Sequence, residues 1–190
     1  RPKRLTQYGH RHSISNEQEL EALFPMTPNP MLQRLIGMPK SSLHSEFTCS
    51  VFSCQDGSLI GPFVARRTLH GSNSWVVEVN PKEDPSSILL KIAERLPSRG
   101  SVNIQLMFTD EGPIPFEFNS RFSGTTPIRA HYGFNEPEMA IRSYYLNEKI
   151  TPPTIGSGMA FRYVNEVFLD GFSADQLKEP FAKGSVNTWF

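Results

Sequence analysis

The sequence predicts an α+β fold in which helices cover one face of an antiparallel β-sheet. Two observations lead to this class. Neighbouring extended runs are joined mostly by short hairpin turns, such as the Asp-Gly at 56–57. Helical patterns follow groups of strands and do not alternate with single strands. With 190 residues, of which 38% are hydrophobic, the chain is long enough for one sizeable core. We therefore expect one main domain.

The beginning of the chain predicts a small strand-and-loop segment with one short helix. In NEQELEALF (16–24), Asn16 is the expected N-cap and Glu19 occupies the third helical position, as in a capping box. PMLQRLIG (30–37) predicts a strand. MPKSSLHS (38–45) has the proline and serine content of a loop, and we expect it to link two lobes.

Three strands and a helix are predicted for the middle of the chain. EFTCSVFSC (46–54) and LIGPFVARRTL (59–69) form a hairpin around the turn QDGS, and WVVEVN (75–80) is the next strand. PSSILLKIAERL (85–96) then predicts a helix. Its apolar residues recur at helical spacing: Ile88, Leu89, Ile92, Ala93 and Leu96.

The remaining elements begin with a second hairpin. GSVNIQLMFT (100–109) and PIPFEFNSR (113–121) are strands on either side of Asp110-Glu111-Gly112. Two helices follow, TPIRAHYG (126–133), which Gly133 ends, and EPEMAIRSYYLN (136–147). The last predicted elements are a strand, MAFRYVNEVFL (159–169), and a helix, ADQLKEPF (174–181).

Composition argues against several classes of partner. Lys and Arg together equal Asp and Glu at 19 each, so no general field recruits nucleic acid or an anionic membrane. No apolar run approaches the roughly 18 to 20 residues that span a bilayer, and the first residues lack the apolar segment of a signal peptide. We expect a soluble, cytoplasmic protein.

The cysteines and histidines indicate no disulfide and no zinc site. Cys49 and Cys54 are five positions apart in one predicted strand, so their side chains should point to opposite faces. This fits a reducing compartment. His10 and His12 are either metal ligands or part of a solvated basic segment. We favour the second interpretation because no further Cys or His cluster completes a site.

The second hairpin brings polar side chains together. If Asp110-Glu111-Gly112 is a three-residue loop, Thr109 lies opposite Pro113. Two opposed pairs then share one face of the sheet: Gln105 with Glu117, and Asn103 with Asn119. The other face is apolar, with Ile104, Leu106, Phe108, Phe116 and Phe118.

This polar face has two interpretations. Gln105, Glu117 and Asn119 offer one carboxylate and two amide oxygens, which suit a Mg²⁺ ion that carries phosphates. Arg121 would bind a phosphate or carboxylate, and SGTTP (123–127) sets backbone N–H groups at a helix start, where anions bind. Alternatively, an antiparallel hairpin simply exposes one face to water.

Residues 100–133, GSVNIQLMFTDEGPIPFEFNSRFSGTTPIRAHYG, resemble the C-terminal lobe of ATP-grasp enzymes, particularly the carbamoyl phosphate synthetase-like group. In that family a Gln on one strand, and the Glu and Asn of an E-x-N-x-R strand, hold the Mg²⁺ ions that bridge ATP phosphates. The resemblance implies these roles for Gln105, Glu117 and Asn119. It also implies that Arg121 contacts the transferred phosphoryl group or the substrate.

Other segments resemble further parts of the nucleotide site. PMLQRLIG followed by EFT is similar to the hinge that binds adenine and ribose, which implies adenine contacts for Gln33, Arg34 and Leu35 and a ribose contact for Glu46. The loop between them is longer than usual. VARRTLHG (64–71) implies that Arg66 or Arg67 lies near the triphosphate or substrate. A surface basic pair is the alternative, and we select Arg67.

The start of the chain departs from the family pattern. In RPKRLTQYGH, Arg1 stands where the family has Lys, and Gly9 is what remains of a glycine-rich phosphate loop. We expect residues 1–40 to be a remnant of the small ATP-grasp lobe and residues 41–190 to be the C-terminal lobe. The chain would then cover the later part of an ATP-grasp enzyme.

The function implied by the resemblance is an ATP- and Mg²⁺-dependent ligase, with Mn²⁺ as an alternative ion. It would convert a carboxylate to an acyl phosphate that an amine or similar nucleophile then attacks. We expect this part of the enzyme to be inactive by itself. One alternative is a non-catalytic ATP-grasp-like module for nucleotide binding or interaction, and another is an antiparallel-sheet protein that binds no nucleotide.

Overall fold

The computed structural model describes residues 3–7, 10–36, 46–71 and 73–163. Within these ranges the strands form two antiparallel sheets. The strands are β1 (Lys3–Gln7), β2 (His10–Ile14), β3 (Met31–Arg34), β4 (Glu46–Ser53), β5 (Leu59–Phe63), β6 (Ala65–His70), β7 (Asn73–Val79), β8 (Gly100–Thr109), β9 (Gly112–Asn119) and β10 (Gly158–Phe161). The helices are α1 (Glu17–Leu23), α2 (Ser86–Arg95), α3 (Thr126–His131) and α4 (Glu136–Ala140), with a π-helical segment at Ile141–Tyr145. The predicted α+β class with an antiparallel sheet is confirmed.

The smaller sheet contains the first three strands in the order β2-β1-β3. Helix α1, which follows β2, begins as predicted. The Asn16 side chain accepts a hydrogen bond from the Glu19 backbone N–H at 2.8 Å, and the Glu19 carboxylate accepts one from the Ser15 N–H at 2.8 Å. No residue of α1 is fully buried. Local capping therefore contributes more to this helix than core packing does.

The larger sheet has the order β10-β7-β6-β4-β8-β9, and β5 also pairs with β4. Strand β4 lies in the middle, and seven of its eight residues are buried. Because successive side chains of a strand point to opposite faces, β4 needs apolar cover on both sides.

Two separate cores provide that cover. On one face, Leu89 and Ala93 of α2 pack against strand residues that include Phe47, Cys49, Val51, Ile104 and Leu106. On the other face, residues of the α3–α4 region, Phe134, Met139 and Ile150, pack against Phe52, Phe63, Val77 and Val79. We expected helices on one face, but the structure places α2 on one side and α3 with α4 on the other.

Several predicted elements differ from the observed ones in their limits. The predicted strand at 59–69 is divided at Val64 into β5 and β6, and the helix at 136–147 becomes π-helical after Ala140. The buried residues of α2 are Leu89 and Ala93, so its core face is centred one position later than Ile88 and Ile92. The strand expected at 159–169 is observed at Gly158–Phe161, and residues 164–169 lie outside the described part of the chain. The predicted linker at 38–45 and helix at 174–181 lie outside the described residues.

Gly133 ends α3 as predicted. Its φ is +95°, and a Cβ at this position would meet the carbonyl oxygen of Thr154 at 2.4 Å. The position therefore requires glycine for both its backbone conformation and its close packing.

No helix in the described part of the chain is long and apolar enough to cross a membrane. The described cysteines are both free and buried, and they lie in different cores, Cys49 beside α2 and Cys54 on the opposite face. This confirms the prediction that their side chains point to opposite faces.

The thiol of Cys49 should be inert in the native protein. Burial raises the pKa of Cys49 from 9.0 to about 12, so at pH 8 no thiolate is available to attack a reagent. Between those pKa values the unfolded chain loses a proton that the folded chain keeps. The free energy of unfolding should therefore fall as pH rises from 9.0 toward 12.

The measurement is reaction of a Cys54→Ser variant with dithiobis(nitrobenzoate) at pH 8, before and after addition of denaturant. The native variant should stay unmodified and the denatured variant should react fully. Equal rates in the two states would show that Cys49 is not protected.

Candidate functional site

The turn between β8 and β9 is shorter than predicted. Asp110 and Glu111 alone form it, and Gly112 already belongs to β9 with a φ of +96°. Thr109 lies opposite Gly112, and the expected pairing with Pro113 is wrong. The glycine does sit at the position of positive φ, as the sequence indicated.

A bulge in β9 restores the predicted pairing beyond the turn. The register shifts by one residue at Phe116, which has no partner on β8. Both predicted pairs are therefore present: Gln105 with Glu117, and Asn103 with Asn119. Directly opposed residues of an antiparallel pair share a face, so these four side chains lie on one face of the sheet.

The apolar face of the hairpin is only partly core. Ile104 and Leu106 are fully buried, and Phe108 packs against the same cluster. Phe118, by contrast, is 50% exposed. Strand β9 is the edge of the sheet, and α2 packs against β4 and β5 instead.

The β9 half of the polar face is open to solvent. Glu117 is exposed, and its carboxylate accepts a hydrogen bond from Asn119 Nδ2 at 2.7 Å. Arg121 donates to the Phe122 carbonyl at 3.0 Å and makes a longer contact, 3.4 Å, with Asn119 Oδ1. Glu117 has no ion-pair partner within the described ranges. An unneutralised carboxylate thus lies beside an amide and a guanidinium.

Arg67 joins residues of three strands on the same face. It donates to Glu46 Oε1 from Nη2 at 2.5 Å and from Nε at 3.0 Å. It also donates from Nη2 to Gln105 Oε1 at 2.9 Å and from Nη1 to the Ser74 hydroxyl at 3.0 Å. The Arg67 side chain is 11% exposed, so this network is largely shielded from water.

Arg66 points away from that network. It is paired with Glu78 at 2.5 Å and with Glu83 at 3.3 Å. Successive strand residues face opposite sides, so of the two arginines only Arg67 joins Gln105. The role of Arg67 at the triphosphate or substrate stays a prediction.

An ion pair with no exposed surface lies against the β8 half of the face. Arg129 of α3 and Glu136 of α4 are both 0% exposed, with Nη1 and Oε1 3.0 Å apart. Arg129 Nη2 donates to Asn103 Oδ1 at 2.5 Å and to the Thr48 hydroxyl at 3.1 Å. The Glu136 carboxylate also accepts hydrogen bonds from Ser50 and Ser101. We call these six residues the buried polar cluster.

Burial lowers the pKa of the Arg129 guanidinium, and the Glu136 carboxylate opposes that shift. Arginine nevertheless remains charged, because its ordinary pKa is so high. Its Nε is the buried side-chain nitrogen without a hydrogen-bond partner in the described chain. The guanidinium carbon stands 5.6 Å from the centroid of the Phe63 ring, a cation–π distance. Sequence reasoning missed this pair, although an arginine between Ile128 and Ala130 was an available signal.

Three backbone N–H groups of the segment that leads into α3 are paired within that segment. The Ser123 N–H donates to the Thr126 hydroxyl at 3.1 Å, and the Thr125 N–H donates to the Ser123 hydroxyl at 3.1 Å. The Thr126 N–H donates to the Ser123 carbonyl at 3.1 Å. These three N–H groups, proposed from sequence as anion donors, are therefore already paired.

The predicted hinge residues lie beside the β8–β9 hairpin. Gln33 donates from Nε2 to the carbonyl of Phe116 at 3.2 Å. That carbonyl belongs to the bulge residue, which has no partner on β8. Arg34 pairs with Glu111 in the turn at 2.9 Å, and Leu35 directly follows β3. The small sheet thus contacts the hairpin at its two irregular points.

Metal binding on this face would depend on mixed oxygen donors. The described residues contain no group of three or more His, Cys, Asp or Glu side chains that could hold an ion. Glu117 would have to act together with amide oxygens, which are suitable ligands for hard cations.

Comparison with known families identifies the class of protein that this fold and site define. A family model described as "ATP-grasp in the biosynthetic pathway with Ter operon" matches residues 41–167, more than half of the chain. The chain belongs to this ATP-grasp family. The predicted superfamily is thereby confirmed, whereas the narrower likeness to the carbamoyl phosphate synthetase group stays a prediction.

Solved ATP-grasp structures share the fold at low sequence identity. N5-carboxyaminoimidazole synthetase from Staphylococcus aureus is 12% identical, with a TM-score of 0.63, over 81% of this chain and 43% of that one. The biotin carboxylase domain of Hydrogenobacter thermophilus 2-oxoglutarate carboxylase, in complex with MgADP, ADP and bicarbonate, is 13% identical, with a TM-score of 0.63, over 84% and 40%. Carboxyaminoimidazole ribonucleotide synthase from Aspergillus clavatus, complexed with ATP, is 11% identical, with a TM-score of 0.58, over 83% and 44%.

The chain spans less than half the length of these structural neighbours. Among curated proteins, none matches the sequence. These likenesses establish the family and the fold.

Removing one charge from the buried pair should destabilise the protein. Glu136→Gln leaves the Arg129 guanidinium charged and without its carboxylate, and breaking a buried ion pair in this way costs about 3–5 kcal/mol in the free energy of unfolding. Denaturant unfolding followed by circular dichroism measures the change. Arg142→Gln, which removes exposed ion pairs with Glu138 and Glu148, is the control and should leave the midpoint nearly unchanged. A Glu136→Gln variant as stable as the wild type would contradict this role for the pair.

Proposed function

We propose that this chain is the C-terminal part of an ATP- and Mg²⁺-dependent carboxylate ligase. The observation that supports this most directly is the pairing of β4, β8 and β9, which puts Glu46, Gln105 and Glu117 on one polar face with Arg67. Membership of the ATP-grasp family supports the same conclusion.

The oxygen donors on β8 and β9 fit a magnesium ion that carries phosphates. Glu117 supplies an exposed carboxylate, and within the described residues Asn119 Oδ1 receives only the 3.4 Å contact from Arg121. From the described part of the chain, Gln105 Oε1 accepts one hydrogen bond, from Arg67, which leaves its second lone pair for a ligand. We assign these three residues as ligands of Mg²⁺, or of Mn²⁺ in its place. When bound, the ion would neutralise charge on the phosphate oxygens.

The proposed reaction has two steps. In the first, an oxygen of the substrate carboxylate attacks the γ-phosphorus of ATP, the bond to the bridging oxygen breaks, and ADP leaves with the electron pair. In the second, an amine or similar nucleophile attacks the carbonyl carbon of the acyl phosphate, loses a proton, and inorganic phosphate leaves. No side chain is covalently modified, so the protein acts by positioning and electrostatics.

The two arginines of the face have different roles in this proposal. Arg121 is exposed and contacts only Asn119 and the Phe122 carbonyl within the described residues. We assign it to the transferred phosphoryl group or the substrate carboxylate, which its planar donor set can bind with two hydrogen bonds. Arg67 donates four hydrogen bonds to protein acceptors, so it orients Gln105 and Glu46 and adds positive charge beside them.

The adenosine part of the nucleotide is assigned to the small sheet and the start of β4. We propose that Gln33, Arg34 and Leu35 line the adenine and that Glu46 binds the ribose. The contact of Gln33 with the Phe116 carbonyl supports this, since it places the end of β3 beside the hairpin that carries the phosphate site.

We also propose that residues 1–40 are a remnant of the small lobe, that residues 41–190 form the C-terminal lobe, and that the protein works in the cytoplasm. The coverage of 40–44% of three structural neighbours fits a chain that corresponds to a part of such enzymes. Two of those neighbours are described in complex with ATP or MgADP, and one with bicarbonate. A small carboxylate-type substrate is consistent with those complexes.

Glu117→Gln should abolish most turnover without unfolding the protein. The carboxylate is exposed on an edge strand, so its loss opens no cavity in the core. Removing one anionic group from a preorganised phosphoryl-transfer site should lower kcat on the order of a hundredfold. The measurement is ADP formation by the full-length protein with Mg·ATP and a panel of carboxylates and amines. Asn119→Ala should change kcat in the same direction.

Glu94→Gln is the matched control, because this exposed glutamate lies on α2, which packs against the opposite face of the sheet. Wild-type turnover in Glu117→Gln would remove the metal-ligand assignment. A wild-type protein that binds Mg·ATP but forms no ADP under any condition would favour the non-catalytic module instead.

A further inference from the structure

The side-chain oxygen of Asn103 is fully occupied by two protein donors. Arg129 Nη2 donates to Oδ1 at 2.5 Å, and the Thr48 hydroxyl donates to it at 3.0 Å. Arginine has donors and no acceptor, so the atom that faces Arg129 has to be the oxygen. An amide oxygen has two lone pairs, and both are used here.

The nitrogen of the same amide is in the opposite situation. Nδ2 donates to no other residue in the described ranges, although Asn103 as a whole is only 2% exposed. A donor without a partner is either fully buried or accessible to solvent. Within the described residues Arg129 Nε is the fully buried one, so Asn103 Nδ2 is accessible at the surface of the polar face. It is turned away from Thr48 and Arg129, and Asn119 lies directly across on β9.

Asn103 and Gln105 are neighbours on one face of β8, but they offer a ligand different groups: Asn103 offers a donor and Gln105 an acceptor. Gln105 Oε1 accepts a single hydrogen bond and can still ligate a cation. Asn103 has no lone pair left for a cation and can only donate. The group that it fits is an acceptor, and an anionic acceptor gives the strongest hydrogen bond.

We propose that Asn103 donates a hydrogen bond from Nδ2 to a phosphate oxygen of the bound nucleotide, and that the Arg129–Glu136 pair is a positioning pair that holds the amide in this orientation. This inference rests on the proposed nucleotide-binding function. Apolar residues of similar volume could not orient the amide in this way. They could, however, stabilise the fold as well as a buried ion pair does, so stability alone does not explain the pair.

Asn103→Asp in the full-length protein separates the donor role from a structural one. Aspartate has nearly the same shape, and its carboxylate still accepts hydrogen bonds from Arg129 and Thr48, but the NH₂ group becomes an oxygen. At pH 8 the Kd for Mg·ADP should rise at least about tenfold, because a charge-assisted hydrogen bond is replaced by repulsion between like charges. The Kd for adenosine should not change. Asn135→Asp is the matched control, since Asn135 caps α4 and aspartate caps equally well.

A purely structural role for Asn103 predicts that the Asn103→Asp variant keeps its affinity for Mg·ADP, because Arg129 keeps its acceptor. Unchanged Mg·ADP affinity would overturn the inference and leave the proposed function standing. An equal loss of affinity for adenosine would also overturn it, since the lesion would then not be at the phosphates. A wild-type protein that binds no Mg·ADP would overturn the proposed function and this inference together.

A second measurement does not depend on the folding of a variant. In wild-type nuclear magnetic resonance spectra, the side-chain NH₂ signal of Asn103 should move when Mg·ADP is added and should not move with adenosine. A signal that stays unchanged at saturating Mg·ADP would overturn the inference.

Discussion

Strand β8 is hydrogen-bonded on both sides, to β4 and to β9, and this double pairing sets the position of the side chains that we propose as ligands. Residues 103–107 of β8 have a fixed neighbour on both strands, and each side chain has a fixed face. Even-numbered residues of β8 close the core against α2, whereas Asn103 and Gln105 face the other way. A shift of one residue would exchange these two sets, so the apolar core and the polar site specify the same register.

Charged residues that the solvent does not reach pack against the polar face of β8 and contact Asn103. Arg129 and Glu136 come from two short helices, and their full burial is tolerated because neighbouring hydroxyl and amide groups satisfy most of their hydrogen bonds. Arg67 does the same for Gln105 at the partly exposed end of the face. In both places an arginine decides the orientation of an amide, because a guanidinium has only donors and can donate only to the amide oxygen. The face thus presents oriented donors and acceptors before any ligand arrives, which is the preorganisation that electrostatic catalysis needs.

Pattern and turn chemistry predicted much of the fold. The hairpins, the N-cap of α1, helix α2 and the glycine that ends α3 all follow from contacts within a few residues, where local propensity decides the outcome. The placement of helices on both faces did not follow, because it depends on which strand becomes central. Strand β4 contains the polar residues Thr48 and Ser50, which are typical of a solvent-facing side, although both are buried. The sequence therefore did not indicate that β4 is covered on both sides.

The sequence by itself determined which residues share the polar face, since alternation along two strands joined by a tight turn leaves few choices. Even there the correct pairs arose from two deviations that cancel, a shorter turn and a bulge at Phe116. Only the tertiary structure decided what each polar group can do. Arg129 lies 26 residues from Asn103 in the chain, and Arg67 lies 38 residues from Gln105. Which lone pairs remain for a ligand depends on those distant partners. A local sequence pattern cannot predict these hydrogen bonds, because they join residues that are brought together only by folding.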